Sequence, residues 1–147
     1  MSWREIRPVA LGAVRRGDEL LVGEETDPET DETFYRLLGG GVEFGEHSRE
    51  AVIREFAEEI GVEFRVERHV GTFEDVFDVD GETGHEIWRV YAGEIVEEWP
   101  YDREQFEFEE PRREETCLAR WLSVETLRNE VTFYSPAVLD ALSESAR

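Results

Sequence analysis

Glu55, Glu58 and Glu59 stand at spacing i, i+3 and i+4, which on a helix stacks three carboxylates over adjacent turns. Each exposed like-charged pair at this spacing costs ~0.2–0.5 kcal/mol, so something must compensate. A solvated acidic face is one reading. The other is a hard divalent cation: Mg²⁺ takes oxygen ligands and keeps several waters, which leaves positions open for substrate phosphates. Arg54 adjoins the first of these glutamates, and Glu46 lies eight residues before it. A guanidinium fork can hold a carboxylate by two hydrogen bonds and keep clustered acids ionised and aimed, although the same pair could be an ordinary surface ion pair. Upstream, Gly39-Gly40-Gly41 requires close backbone approach or positive φ.

These residues need elements to position them. Residues 6–14 and 19–22 are apolar runs around a turn-like Arg15-Arg16-Gly17-Asp18 and predict a hairpin. Residues 24–32 are acidic and contain Asp27-Pro28, so they read as a solvated loop before a short strand over 33–38 and a glycine-rich loop. Ser48 is placed as an N-cap, residues 49–60 have helical periodicity, and Gly61 is a stop signal. On a helical wheel Val52, Ile53, Phe56, Ala57 and Ile60 form the face that should dock on a sheet, with Glu55, Glu58 and Glu59 on the opposite side. Strands are expected over 62–70, 72–79 and 85–92, with a turn at Asp80-Gly81. Residues 97–115 read as a long acidic loop with one short strand near Phe106. A strand over 118–122, a helix from Ser123 or Val124 toward Arg128, and a closing helix over 136–142 complete the chain. No internal repeat and no domain boundary is evident, so residues 1–147 read as a single domain.

From Gly40 the order is five residues, Glu46, seven residues, Arg54-Glu55-Phe56, one residue, Glu58-Glu59, one residue, Gly61-Val62. Residues 40–62 thus resemble the signature box of the Nudix (MutT-like) hydrolases at every specified position. Leu38 stands where many members have proline, which affects loop stiffness and no catalytic group. The resemblance implies an α+β fold, an α/β/α sandwich around a central mixed β-sheet. It also implies a Mg²⁺- or Mn²⁺-dependent pyrophosphohydrolase that cleaves a nucleoside diphosphate linked to another moiety, of ADP-ribose, nucleotide-sugar or (d)NTP type. By position, Glu55, Glu58 and Glu59 match the metal-binding carboxylates, the Gly39 carbonyl matches a further ligand, and Glu46 and Arg54 match the supporting pair.

Such a site supports attack by water on phosphorus, with a carboxylate accepting the proton. Glu58 and Glu59 are the first choices for that base. In this family it can instead come from a later loop, here holding Glu107, Glu109, Glu110, Glu114 and Glu115, of which Glu115 is singled out both as base and as metal ligand. Substrate contacts are expected from Tyr35 and Arg36, whose ring and guanidinium suit a base and a phosphate, and from His85. Packing roles are the alternative for Tyr35 and His85. His47 and His69 are uninformative, and Trp3, Trp88, Trp99 and Trp121 read as packing residues.

The chain carries 37 Asp plus Glu against 16 Lys plus Arg, a formal charge of −21, and all of the basic residues are arginine. Such a surface repels phosphate backbones and anionic lipid, so nucleic-acid polymers and membranes are poor partners and a small nucleotide is the expected one. No long apolar run and no secretory leader pattern is present, which predicts a cytoplasmic protein. Acid excess without lysine suggests molar salt, where the Debye length falls to about 3 Å. Cys117, the single cysteine, reads as a small buried apolar residue. Many Nudix relatives pair as homodimers, although no apolar stretch marks an interface. Two rivals stand beside the enzyme: a non-catalytic nucleotide-binding regulatory module on the same fold, and an acidic domain that merely collects cations.

Overall fold

Nearly every residue from Val9 to Val14 is apolar and buried, which suits a strand covered on both faces. The computed structural model describes residues 4–27, 29–79, 81–110 and 115–145. In chain order it shows β1 (Ile6–Arg16), β2 (Glu19–Thr26), β3 (Thr33–Gly41), α1 (Ser48–Glu59), β4 (Phe64–Val79) and β5 (Glu82–Ile95). A 3₁₀ turn (Trp99–Asp102), β6 (Gln105–Glu110), β7 (Glu115–Ser123), α2 (Val124–Asn129), β8 (Phe133–Tyr134) and α3 (Pro136–Ser145) follow. The strands form one mixed sheet in the order β4-β5-β1-β3-β2-β7-β6, with β8 beside β3. The β1–β5 and β3–β8 pairings are parallel and the others antiparallel. Helices cover both faces. Val52, Phe56 and Phe64 pack with Leu38, Ala10 and Trp121 on the α1 side, while Val9, Leu11, Trp88 and Val90 pack with Leu127, Leu139 and Leu142 on the α2 and α3 side. This is the expected α/β/α sandwich.

Several boundaries differ from the sequence reading for local reasons. The glycines are not a free loop: β3 runs through them, with Gly41, Gly40 and Gly39 opposite Val9, Ala10 and Leu11 of β1. Gly39 must be glycine because a Cβ there would collide with the Ala10 carbonyl oxygen. The two strands expected over 62–79 are one long strand, its pairing with β5 broken by register shifts at Val66/Arg68 and His69/Gly71. The short strand expected near Phe106 in the acidic segment 97–115 is β6, whose alternation buries Phe106 and Phe108 beneath α1 and exposes Glu107 and Glu109. His47, not Ser48, caps α1; its backbone N–H donates to the Glu50 carboxylate at 3.2 Å in the manner of a capping box. Ser48 is the first helical residue, and its hydroxyl bonds Tyr91. At the other end Gly61, with φ +76°, closes the helix as expected by donating to the Phe56 and Ala57 carbonyls. Asp80, Pro28, Trp3 and Glu114 lie outside the described residues.

β3 changes partner in mid-strand. Residues 38–41 pair with β1, whereas residues 33–37 pair with β2 on one side, and Tyr35 and Arg36 meet β8 on the other. β1 and β2 are themselves antiparallel at Arg15 and Arg16. Three strands each antiparallel to the other two cannot lie in one flat sheet, so the sheet opens at Leu38 into two halves. Among the described residues no helix is long and apolar enough to cross a membrane.

Candidate active site

The opening between the half-sheets is a cleft of about 400 Å³, the size range of small-molecule sites. One wall comes from β1, β4 and β5 through Arg7, Asp75, Phe77, Glu86 and Trp88. The other comes from β2, β3 and β8 through Gly23, Glu25, Phe34, Arg36 and Tyr134. Gly39, Gly40 and Gly41 form the floor with Glu55, Glu59, Phe108, Glu110 and Cys117.

α1 delivers its acids to this floor by a rotation the wheel did not anticipate. The buried face is Ala51, Val52, Glu55, Phe56 and Glu59, while Ala57 is exposed. Glu55 and Glu59 are only 6% and 7% exposed and look into the cleft; Glu58 is half-exposed and turned to Arg54. The missing side chain of Gly40 makes this rotation possible: a Cβ there would lie 2.5–2.7 Å from the carboxylate atoms of Glu55. Phe56 seats over Gly12, where a Cβ would come within 2.7 Å of the ring, so the helix rests on glycine backbone at two points.

Arg54 ties the acids together. Its Nε and Nη2 donate to the two Glu46 carboxylate oxygens at 2.8 and 3.0 Å, Nη1 donates to Glu55 at 2.9 Å and Glu58 at 3.2 Å, and Nη2 also reaches the Gly41 carbonyl at 2.9 Å. The hydrogen bond from Arg54 holds the Glu46 carboxyl below the usual range, and that from Glu46 raises the guanidinium in return. Glu59 is in the opposite condition. Burial, then the charge and hydrogen bond of Glu110, then those of Glu55, push its carboxyl up to about 10. Both Glu58 and Glu59 also lie in the last turn of α1, where the helix dipole favours cations and the chain supplies no basic residue. Two requirements for positive charge therefore converge on one spot.

The structure brings Glu46, Arg54, Glu55, Glu58, Glu59 and Gly39 together, and it lines the cleft with Arg36. Tyr35, one residue out of step with Arg36, does not line it; its hydroxyl donates to Glu24 at 2.6 Å and accepts from Arg120 at 3.1 Å. His85 alternates with the cleft residue Glu86, and its ring bonds Glu74 at 2.8 Å. Glu115 pairs through its backbone with Glu110, and its side chain lies outside the described ones. Among the described loop acids, Glu110 is the one on the cleft floor. Cys117 is half-buried in the cleft lining and not the core residue expected. Asp75, Glu86, Arg7 and Phe77 were missed. The alternation Phe73-Glu74-Asp75-Val76-Phe77 was the signal for Asp75, and Phe106-Glu107-Phe108-Glu109-Glu110 was the signal for Glu110, each placing its acid on an aromatic-bearing face.

The NUDIX domain profile matches residues 6–142, nearly the whole chain. The chain belongs to the NUDIX domain family. Solved structures with this NUDIX fold include a NUDIX hydrolase from Nitrosomonas europaea, with TM-score 0.66 and 22% identity over 97% of this chain and 89% of that one. A MutT NUDIX hydrolase from Burkholderia pseudomallei gives 0.63 and 22% over 95% and 99%. An ADP-ribose pyrophosphatase from Streptococcus suis gives 0.58 and 15% over 97% and 93%. At such identities the likeness is one of fold. No curated protein matches the chain. Within the NUDIX domain the described His, Cys, Asp and Glu side chains do not close in threes on a single ion position as they stand; hydrogen bonds among Glu55, Glu59 and Glu110 hold the cluster.

The floor yields a test of its own. Gly40→Ala introduces a methyl group against the Glu55 carboxylate at a position whose backbone any residue can adopt. Circular dichroism should report a native fold, while kcat falls about tenfold or more because the carboxylate is displaced. Full activity in that variant would show that the Glu55 position is immaterial.

Proposed function

We propose that this NUDIX domain is a Mg²⁺- or Mn²⁺-dependent pyrophosphohydrolase that cleaves a nucleoside diphosphate linked to another moiety, by attack of water on phosphorus. The observation that carries the reading is the meeting of three carboxyl groups, Glu55, Glu59 and Glu110, in the lining of a cleft of about 400 Å³. A protein gains nothing in stability from burying acids against one another, and such crowding is common at catalytic sites.

The donor set fits a hard cation: carboxylate oxygens of Glu55 and Glu59, with Glu58 and the Gly39 carbonyl adjacent, and no sulfur or imidazole. Bound there, a divalent cation would offset phosphate charge and lower the pKa of a water. The protein's own part is positioning. Arg54 and Glu46 fix the α1 carboxylates, the β3 glycines let a phosphate chain approach backbone, and, with Glu59 engaged by the cation, Glu110 takes the proton from the attacking water in place of Glu58 or Glu59. The Arg36 guanidinium makes no hydrogen bond or ion pair among the described residues, so it is available to a phosphate. The intact acidic set favours this reading over a non-catalytic binding module.

The test is a panel of ADP-ribose, nucleotide sugars, nucleoside triphosphates and dinucleoside polyphosphates, assayed with Mg²⁺ and with EDTA. Molar KCl is included because the charge of −21 suits a salt-rich medium. Release of a nucleoside monophosphate from at least one substrate, abolished by EDTA, is expected. A flat panel alongside measurable nucleotide binding would favour the module.

A further inference from the structure

Asp75, Glu86 and Arg7 stand side by side on β4, β5 and β1, paired in register across the three strands on the cleft wall away from the floor acids. Glu86 is buried and held: one oxygen accepts from the Trp88 indole N–H at 2.9 Å, the other from Arg7 at 3.3 Å. The Asp75 carboxylate makes no hydrogen bond or ion pair among the described residues, and the charges of Glu86 and Arg36 act on it. Two residues along β4, the Phe77 ring packs onto Gly84, so closely that a Cβ there would lie 2.6 Å from it. The wall thus offers an aromatic face, a carboxylate without a hydrogen bond and the Arg7 guanidinium, with Arg36 on the opposite wall.

We infer that this wall is the base-recognition end of the cleft and that Asp75 selects guanine. The inference rests on the proposed reading that a nucleotide lies in the cleft with its phosphates toward Glu55 and Glu59. A carboxylate is an acceptor with two oxygens and is best met by two adjacent donors. Guanine presents such an edge, N1–H beside the N2 amino group, with O6 next to them for a guanidinium. Adenine and cytosine place one amino donor beside a ring acceptor, and uracil has one N–H between two carbonyls. An acceptor facing Asp75, with Glu86 behind it, is repelled. Flipped and single-stranded bases are read in the same manner, by hydrogen bonds to their pairing edge and stacking on rings.

Calorimetric binding of GMP, AMP, CMP and UMP to the wild type and to Asp75→Asn tests this without reference to turnover. Wild type should bind GMP about tenfold or more tightly than the others, the scale of one good bidentate contact. In Asp75→Asn, whose amide offers one donor and one acceptor, GMP should lose that margin and AMP or CMP should gain. Equal affinities in the wild type, or an equal loss for all four nucleotides in the variant, would overturn the assignment. Kinetics on GDP-, ADP- and UDP-glucose separate the two claims. A GMP preference without hydrolysis sinks the enzyme reading and leaves the base site; hydrolysis indifferent to the base does the reverse. Where both hold, Asp75→Asn should raise KM for the guanine substrate and leave kcat within about twofold.

Discussion

Glu59→Gln should hydrolyse its best substrate about 10³-fold more slowly than wild type, because the cation would lose a charged ligand and with it part of the several kcal/mol it contributes to the transition state. In EDTA, the same variant should melt at or above the wild-type temperature. The two halves of this result have one cause. Glu59 is 7% exposed and crowded by Glu110 and Glu55, so without a cation it must take up a proton to stay buried at neutral pH, a cost that glutamine of the same shape removes. Function needs the charge that stability would discard. Turnover at the wild-type level would end the assignment of Glu59, and a large drop in melting temperature would show that the activity was lost through the fold.

Arg54→Ala should cost about 3 kcal/mol, because it strands partly buried carboxylates that rely on one guanidinium. For a chain of this size that lowers the melting temperature by about 10 °C. Arg54→Lys restores the charge but cannot span Glu46, Glu55, Glu58 and the Gly41 carbonyl together. Urea unfolding should therefore place lysine between wild type and alanine, while turnover of both variants, measured where they are folded, drops more than tenfold. If lysine recovers full turnover, the fork geometry is irrelevant and Arg54 serves as bulk charge alone.

The spacing of residues 40–62, through its resemblance to the Nudix box, made the floor of the site legible from sequence where helix geometry alone left a solvated acidic face open. What spacing could not show was the helix rotation. The wheel assigned Ala57 to the buried face and Glu59 to the solvent, since apolar residues are normally the ones that dock. The glycine floor reverses this: Gly40 leaves room for Glu55, and the buried stripe shifts to include both acids. The sandwich was implied by the resemblance of residues 40–62 to the Nudix box, and the short strand expected near Phe106 is β6, whose pattern two phenylalanines carry through acidic sequence. Tyr35 and Arg36 illustrate the limit of composition. Both have useful chemistry, and a period of two decides that Arg36 lines the cleft while Tyr35 binds Glu24. Local alternation marks the face that carries Asp75, but that this hairpin face lines the cleft depends on the parallel pairing of β5 with β1, which no local window contains.

The mid-strand exchange of partners in β3 has an evolutionary consequence. Glycines 39–41 are locked to β1, while Phe34 and Arg36 belong to the half of the strand paired with β2, and Asp75 and Phe77 to a hairpin on the far side. Substitutions in the two walls can therefore accumulate without disturbing the backbone that presents the reacting acids. An insertion between Arg36 and Gly39 cannot, because one added residue would exchange inward and outward side chains across the join. Diversification of such a protein should proceed by point changes on the walls and by loop growth at the strand ends, with the length of this one strand held constant.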